Sequence, residues 1–488
     1  MIVCLLFLSL FSTSWAMEHM PVKMVEVDMS PPKEFKYRGV QNAGKVVVAW
    51  MSTPLNHFDL KNPTKFSMRY MYNEEFFGGD GYPIFIMAGG EWSIQEGWLL
   101  SGNMYEMARE NKGFQVYTEL RYYGETQIFS DFTAENLRFL NVEQALADLA
   151  HFITEIKKQK RFAKSEVIMY GGSYAANLVI WFKKRYPHLV LGTVASSGPV
   201  LAKVDFPEYL EVVHEAIKLE GGEECIGHIR RGIDDTVAAM KTESGRRLLQ
   251  KTYRLCQPLD HNNKYALAVF SGLISWAFSG SVQNSSPGTL KSICNNFTDT
   301  SYGSTPMEKI SGYITITSGA NPNACWDMSY DFFLRSYQKA TYARAWHYQT
   351  CSEYGYFQTA PTSGTVFDGL KWLDLDFYTH VCKDNFGERF DLAYVKKRAK
   401  KINSMFGGLE PGVKNTINIH GYNDPWRALG VHKKDISETS PTYTVARASH
   451  CFDMAGWSPT DTSEMTAVQE KARKTVASWL SKSKPKTS

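Results

Sequence analysis

Three side chains in this sequence have the types and the order needed to turn a serine hydroxyl into a nucleophile: Ser173, Asp424 and His450. Ser173 sits in Gly171-Gly172-Ser173-Tyr174-Ala175, between the apolar run Val167-Ile168-Met169-Tyr170 and the helical pattern Ala176-Asn177-Leu178-Val179-Ile180-Trp181-Phe182. Small-x-Ser-x-small between strand and helix predicts a nucleophile elbow. Its turn is so sharp that the residues two before and two after the serine must be nearly free of side chain. The elbow also sets the serine at a helix N-terminus, where amides and the dipole favour an oxyanion. A serine hydroxyl needs a general base to take its proton, and the base needs a third group to orient it. Asp424 is the expected third group. It follows the strand signal Thr416–His420 in Gly421-Tyr422-Asn423-Asp424-Pro425-Trp426, where Gly and Asn permit a tight turn and Pro425 disfavours helix upstream. Two histidines follow Asp424. His432 lies in a polar stretch with no strand before it, whereas His450 directly follows Thr442–Arg447, so His450 is the expected base.

These residues require a sheet to hold them. Strand signals occur at Val46–Trp50, Phe66–Tyr72, Ile84–Ala88, Phe114–Leu120, Val167–Tyr170, Gly192–Ser196, Ile417–Ile419 and Tyr443–Ala446. Helical patterns lie between them, notably Val142–Lys157 with apolar residues at helical spacing. The alternation over residues 80–200 predicts a mostly parallel sheet with helices on its faces, and the first two strands, which lack helical partners, an antiparallel edge. From about residue 200 to 400 strand signals are sparse, and helical stretches such as Phe206–Leu219 and Ile229–Leu249 dominate. About 250 residues separate Ser173 from Asp424, far more than a few αβ units need. The expectation is an α/β core, residues 17–199 and 401–480, interrupted by a mainly helical insertion over 200–400. Such an insertion projects over the carboxyl edge of the sheet and restricts access to short or chain-end substrates.

Composition narrows the function classes. The 54 basic and 50 acidic residues leave a net charge of +4, which gives no electrostatic case for nucleic acid. Residues 1–16 read as a secretory signal, with an apolar stretch from Ile2 to Phe11 and Ser14-Trp15-Ala16 at the cleavage position. No later run reaches about 18 apolar residues, so no membrane span is expected. Asn284-Ser285-Ser286 and Asn296-Phe297-Thr298 are glycosylation sequons. Six of the eight cysteines fall between Cys225 and Cys382, with fifteen possible pairings, and Cys451 is left over. No Cys-x-x-Cys or paired histidine has metal-ligand spacing, and neither metal nor cofactor is expected. Ser481 to Ser488 read as a disordered tail. The localisation that fits is secreted or lysosomal.

The chain resembles the serine exopeptidases that include lysosomal prolyl carboxypeptidase, dipeptidyl-peptidase II and thymus-specific serine protease. The resemblance runs from about Phe35 to Trp479. It is carried by Arg121-Tyr122-Tyr123-Gly124, Gln144-Ala145-Leu146-Ala147-Asp148-Leu149, Gly171-Gly172-Ser173-Tyr174, Arg185-Tyr186-Pro187-His188-Leu189-Val190, Tyr348-Gln349-Thr350-Cys351-Ser352-Glu353, Asp424-Pro425-Trp426 and Ser449-His450-Cys451. Val204-Asp205-Phe206-Pro207-Glu208-Tyr209-Leu210 is most similar to the thymus-specific branch. The resemblance implies an α/β-hydrolase core with a helical cap, peptide substrates, and cutting after proline or a small residue near a chain end. It leaves open the carboxypeptidase or dipeptidyl-peptidase mode, and monomer or homodimer. By motif, Ser173 is nucleophile, His450 base and acid, and Asp424 its orienter. The Tyr174 amide and the Gly89-Gly90-Glu91 loop form the oxyanion hole, and Trp426 walls the pocket for the residue before the scissile bond. The family pattern also implies disulfides Cys225–Cys294, Cys256–Cys325 and Cys351–Cys382.

Three positions depart from the pattern. Relatives usually carry glycine at Ala176, histidine at Leu120 and glycine at Trp92. These motivate a second reading, a catalytically silent secreted binding protein whose pocket Trp92 blocks. A third, an esterase or lipase, shares the triad but lacks a long apolar stripe in the cap.

Overall fold

The computed structural model describes residues 19–20, 46–321, 323–339, 341–432 and 439–483. The expected signal segment lies outside these residues. Short β-branched and aromatic runs assemble into one eight-stranded sheet. Its strands are β1 (Val47–Pro54), β2 (Lys65–Asn73), β3 (Ile84–Ala88), β4 (Phe114–Thr118), β5 (Val167–Gly172), β6 (Gly192–Ser196), β7 (Thr416–Gly421) and β8 (Thr442–Val445). In space they run β1-β2-β4-β3-β5-β6-β7-β8. β2 is antiparallel to β1 and β4, and every other pairing is parallel. This is the α/β-hydrolase arrangement. β3 to β7 are buried at every residue, as strands covered on both faces must be. β1 forms the edge and leaves Trp50 exposed.

Helices α1 (Asn103–Asn111), α2 (Val142–Lys157) and α3 (Tyr174–Arg185) pack on the sheet. Asn141 caps α2 by accepting the Gln144 N–H at 3.0 Å. The buried face of α2 carries Leu146, Leu149, Phe152, Ile153 and Ile156, and among them Asp148. That carboxylate is buried because Arg121, itself fully buried, binds it through Nε and Nη2 at 2.6 Å each. The same guanidinium donates to the Leu55 and Phe139 carbonyls at 3.1 and 2.9 Å, and His57 Nε2 meets Asp148 Oδ1 at 2.7 Å. Two of the sequence landmarks, Arg121-Tyr122-Tyr123-Gly124 and Gln144–Leu149, therefore meet in one ion pair that ties α2 to the exit of β4.

Between β6 and β7 the chain is mainly helical: α4 (Glu208–Ala239), α5 (Glu243–Tyr253), α6 (Lys264–Gln283), α7 (Thr289–Thr298), α8 (Pro306–Thr317), α9 (Tyr330–Arg335), α10 (Tyr342–Gln349), α11 (Leu375–Phe386) and α12 (Leu392–Phe406). The helical signal expected over Ile229–Leu249 is split. α4 ends at Ala239, and Thr242 starts α5 by accepting the Gly245 N–H. Disulfides join Cys225 to Cys294, Cys256 to Cys325 and Cys351 to Cys382, the pairing that the resemblance implied. Cys451 is free and buried. α6 has the length and apolar composition of a membrane span, yet 78% of its apolar window is buried inside the molecule, and it serves as the central helix of the cap.

Three expected boundaries shift. The cap-to-core boundary at residue 400 falls inside α12, whose Phe406 stacks on Trp181 of α3 at 4.8 Å. His19–Met20 pair in parallel with Cys325–Trp326, so this short stretch lies on the insertion rather than on the core sheet. Ser481–Ser483, expected in a disordered tail, instead end the last helix, α13 (Ser463–Ser483), which carries Val476, Trp479 and Leu480 into the core, and the rest of the expected tail lies outside the described residues.

Removing one partner of the Arg121–Asp148 pair leaves an uncompensated buried charge. Asp148→Ala is expected to lose about 3–5 kcal/mol of stability in a urea or guanidinium titration.

Candidate active site

The sheet register brings the three motif ends together. Gly172 pairs with Ser196, Ser196 with Ile419, and Val445 with Gly421, so the chain leaves β5, β6, β7 and β8 along one edge. Ser173 follows β5, Ser197 follows β6, Asp424 lies in the turn after β7, and His450 in the loop after β8. Hydrogen bonds stitch the exits to one another. Ser173 N–H donates to the Ser196 carbonyl at 2.9 Å, Ser197 N–H to Ile419 at 2.7 Å, and Asn423 N–H to Ala448 at 2.9 Å. Cys451 N–H donates to Ser197 Oγ at 2.9 Å, pinning the loop that carries His450.

Ser173 adopts φ 55°, ψ −129°, a left-handed conformation that a side chain makes costly. A Cβ at Gly171 would collide with the backbone of Ala175 and Ala176, which is why the elbow begins with glycine. Ala175 and Ala176 are both fully buried, so the extra methyl of Ala176 is absorbed within the core. Tyr174 opens α3, and its amide has no intrahelical acceptor.

His450 Nδ1 lies 2.9 Å from Asp424 Oδ1. Burial alone would push the Asp424 carboxyl up. The charge of His450 and its hydrogen bond, with the Trp426 N–H at 3.0 Å, outweigh burial and hold Asp424 below the ordinary range. His450 is the mirror case: burial would lower it, and Asp424 and Cys451 together raise it well above 6.5. Its Nε2 is buried and makes no hydrogen bond among the described residues. The pair thus presents one free imidazole nitrogen at the edge that carries Ser173.

Ser173, Tyr174, Glu91, Trp92, Trp426 and Gln283 line a cavity of about 530 Å³. Among the described residues its wall contains no lysine or arginine, and Glu91 is its one carboxyl group. Glu91 is buried with Oε2 unpartnered, and burial raises its carboxyl to about 7 against an opposing pull from His450. Trp92 does not fill the space before Ser173. Its indole folds over Gly90, where a Cβ would strike the ring, and Nε1 donates to Tyr117 Oη at 2.6 Å. The blocked pocket that motivated a silent binding protein is absent. Leu120 is buried beside the Arg121 pair rather than on the cavity wall.

Landmark residues with no role assigned from sequence, together with Tyr354, Asp453 and Gln283, which the sequence did not single out, complete the site. Gln349 Nε2 donates to Tyr174 Oη at 2.9 Å, Tyr123 Oη donates to Gln349 Oε1 at 2.6 Å, and Tyr354 Oη lies 2.7 Å from Tyr174 Oη. The cap landmark around Gln349 therefore clamps the ring next to the nucleophile. Asp453, three residues past His450, is buried and accepts from Tyr170 Oη at 2.7 Å and from Ser196 Oγ. Only its closeness to His450 in sequence could have drawn attention to it. Gln283 ends α6 with no sequence signal at all.

A profile of the family described as Serine carboxypeptidase S28 matches residues 53–472. The chain belongs to this family. Within it, a candidate serine protease of Caenorhabditis elegans is 30% identical over 461 residues, covering 90% of this chain and 89% of that one. Thymus-specific serine protease of Mus musculus is 27% identical over 448 residues (88% and 87%). Lysosomal Pro-X carboxypeptidase of Bos taurus is 26% identical over 461 residues (90% and 88%). The S28 chain described here is accordingly a serine peptidase.

Folded Glu91 holds its proton to about pH 7, against 4.5 ordinarily. Its contribution to stability is therefore complete below about pH 4.5 and is lost as pH rises through about 7. Glu91→Gln cannot ionise, so its melting temperature relative to the parent is expected to climb across that window, as measured by calorimetry at a series of pH values.

Proposed function

We propose that this peptidase cleaves peptide bonds near a chain end, after proline or a small residue, through Ser173, His450 and Asp424 and an acyl-enzyme. The observation that carries the reading is the buried Asp424–His450 pair, 2.9 Å apart, at the sheet edge where Ser173 is held in its strained elbow on the wall of the cavity. His450 Nε2 takes the Ser173 proton as Oγ attacks the carbonyl carbon. The oxyanion forms against the Tyr174 amide and the Gly89-Gly90-Glu91 loop. His450 then gives its proton to the leaving amine, and a water molecule repeats the sequence to release the acyl group.

Aromatic walls support the proline preference. Trp426 lines the cavity and packs against Phe206, Tyr209 and Tyr356 with ring centres 5.3–5.7 Å apart, a flat rigid surface suited to a pyrrolidine ring. The cap over the sheet edge supports chain-end substrates. A wall with Glu91 and no lysine or arginine favours an amino end over a carboxylate end. Relatives named as lysosomal and as extracellular support passage through the secretory route, which the N-terminal signal and the sequons at Asn284 and Asn296 fit. Asn284 is exposed at the end of α6.

A fluorophosphonate probe is expected to label the purified protein and to fail with Ser173→Ala. A well-folded parent that stays unlabelled from acid to neutral pH would sink the reading. Peptides with proline near one end or the other, blocked in turn at each terminus, identify the end that is read. Asp424→Asn is expected to keep the fold and lower kcat by about 10³–10⁴, since the imidazole loses both its orientation and its stabilising charge.

A further inference from the structure

Gln283 is the last residue of α6, and both of its acceptor groups are already committed. Its main-chain carbonyl accepts from the His450 N–H at 3.3 Å and from Ser449 Oγ. Its side-chain Oε1 accepts from Trp426 Nε1 at 2.9 Å and from Tyr209 Oη at 2.7 Å. An indole nitrogen can only donate, so the amide orientation is fixed: oxygen faces Trp426 and Tyr209, and nitrogen faces the other way. That nitrogen, Nε2, is buried, has no hydrogen-bond partner among the described residues, and belongs to a residue on the cavity wall. Gln283 as a whole is 1% exposed.

A buried amide donor left unpaired is costly to the fold. Here the donor is also pre-aimed, since backbone and Oε1 leave the side chain no freedom to find another acceptor. Its neighbour in the cavity is Trp426, the proposed wall for the residue before the scissile bond. We infer that Gln283 is a substrate-binding residue whose Nε2–H donates to the main-chain carbonyl oxygen preceding the residue that packs on Trp426. The inference rests on the peptidase reading of this cavity. One side chain of the cap then does two things: it holds the loop of the base and the ring of the pocket, and it measures the substrate backbone.

The test removes the bond from both sides. Two peptides are compared, one with the ordinary carbonyl before its proline and one with an (E)-alkene in its place, which deletes the oxygen without adding charge. Their Kd values are measured by calorimetry on the Ser173→Ala background, so that neither is cut. The unsubstituted pocket is expected to prefer the carbonyl peptide by about five- to tenfold. With Gln283→Met, or with Gln283→Glu, which keeps an acceptor for Trp426 and Tyr209, the preference is expected to fall below about twofold. A purely structural Gln283 would weaken both peptides alike and leave the preference intact, and that result overturns the inference. So does a parent pocket that shows no preference. Failure of the parent enzyme to react with the fluorophosphonate, or to bind either peptide, instead removes the reading beneath it.

Discussion

The left-handed backbone at Ser173 is the constraint around which the rest is arranged. A non-glycine residue at φ 55° costs on the order of 1–3 kcal/mol and persists only where its surroundings over-determine it. Here the surroundings are specific. Gly171 is bare because the Ala175 backbone occupies the place of its side chain, and the Ser173 N–H is tied to Ser196 on the next strand. Ser197 and Cys451 also have positive φ, 55° and 57°, and the Cys451 N–H donates to Ser197 Oγ. Ser173 and Ser197 at the ends of β5 and β6, and Cys451 in the loop after β8, form one connected rim. The parallel sheet beneath it, buried from β3 to β7, is rigid enough to hold all three.

The cap is coupled to this rim rather than laid over it. α6 reaches the loop of the base through the Gln283 carbonyl, and the segment after α10 reaches the nucleophile's neighbour through Gln349 and Tyr354. Cys351–Cys382 anchors that segment to α11. Hydrogen bonds that end on His450 and on the neighbours of Ser173 and His450 thus add to the shared apolar packing between cap and core.

Much of this was legible in the sequence, and for identifiable reasons. Strand, turn and helix at Val167–Phe182 carry strong local signals, because only small residues fit the elbow and only a buried strand reads as Val-Ile-Met-Tyr. The insertion showed in the length between Ser173 and Asp424 and in the crowding of cysteines. Boundaries were less visible. The break between α4 and α5 is made by a Thr242 cap inside a continuous polar-apolar pattern, and α12 looks like a solvated basic helix although its last turn stacks on Trp181. Gln283 was invisible, and the role of Gln349 was not legible from its landmark, since each acts through partners distant in sequence. Trp92 was misleading in the opposite sense. Its size suggested obstruction, but a bare Gly90 and the Tyr117 hydroxyl give the indole a berth off the path to Ser173.

The order of the parts along the chain has a consequence for how the molecule is made. A ribosome delivers the nucleophile first, then about 200 residues of disulfide-bonded cap, and the acid and base only within the last 70 or so. β7 and β8 must then insert beside a β6 that has waited for them, closing a loop of very long contour. Until that late docking, Ser173 lacks its proposed base and the cavity lacks the wall that Trp426 supplies. On the proposed triad, activity therefore appears only once β7 and β8 have docked, so that completing the fold and arming the serine are one event.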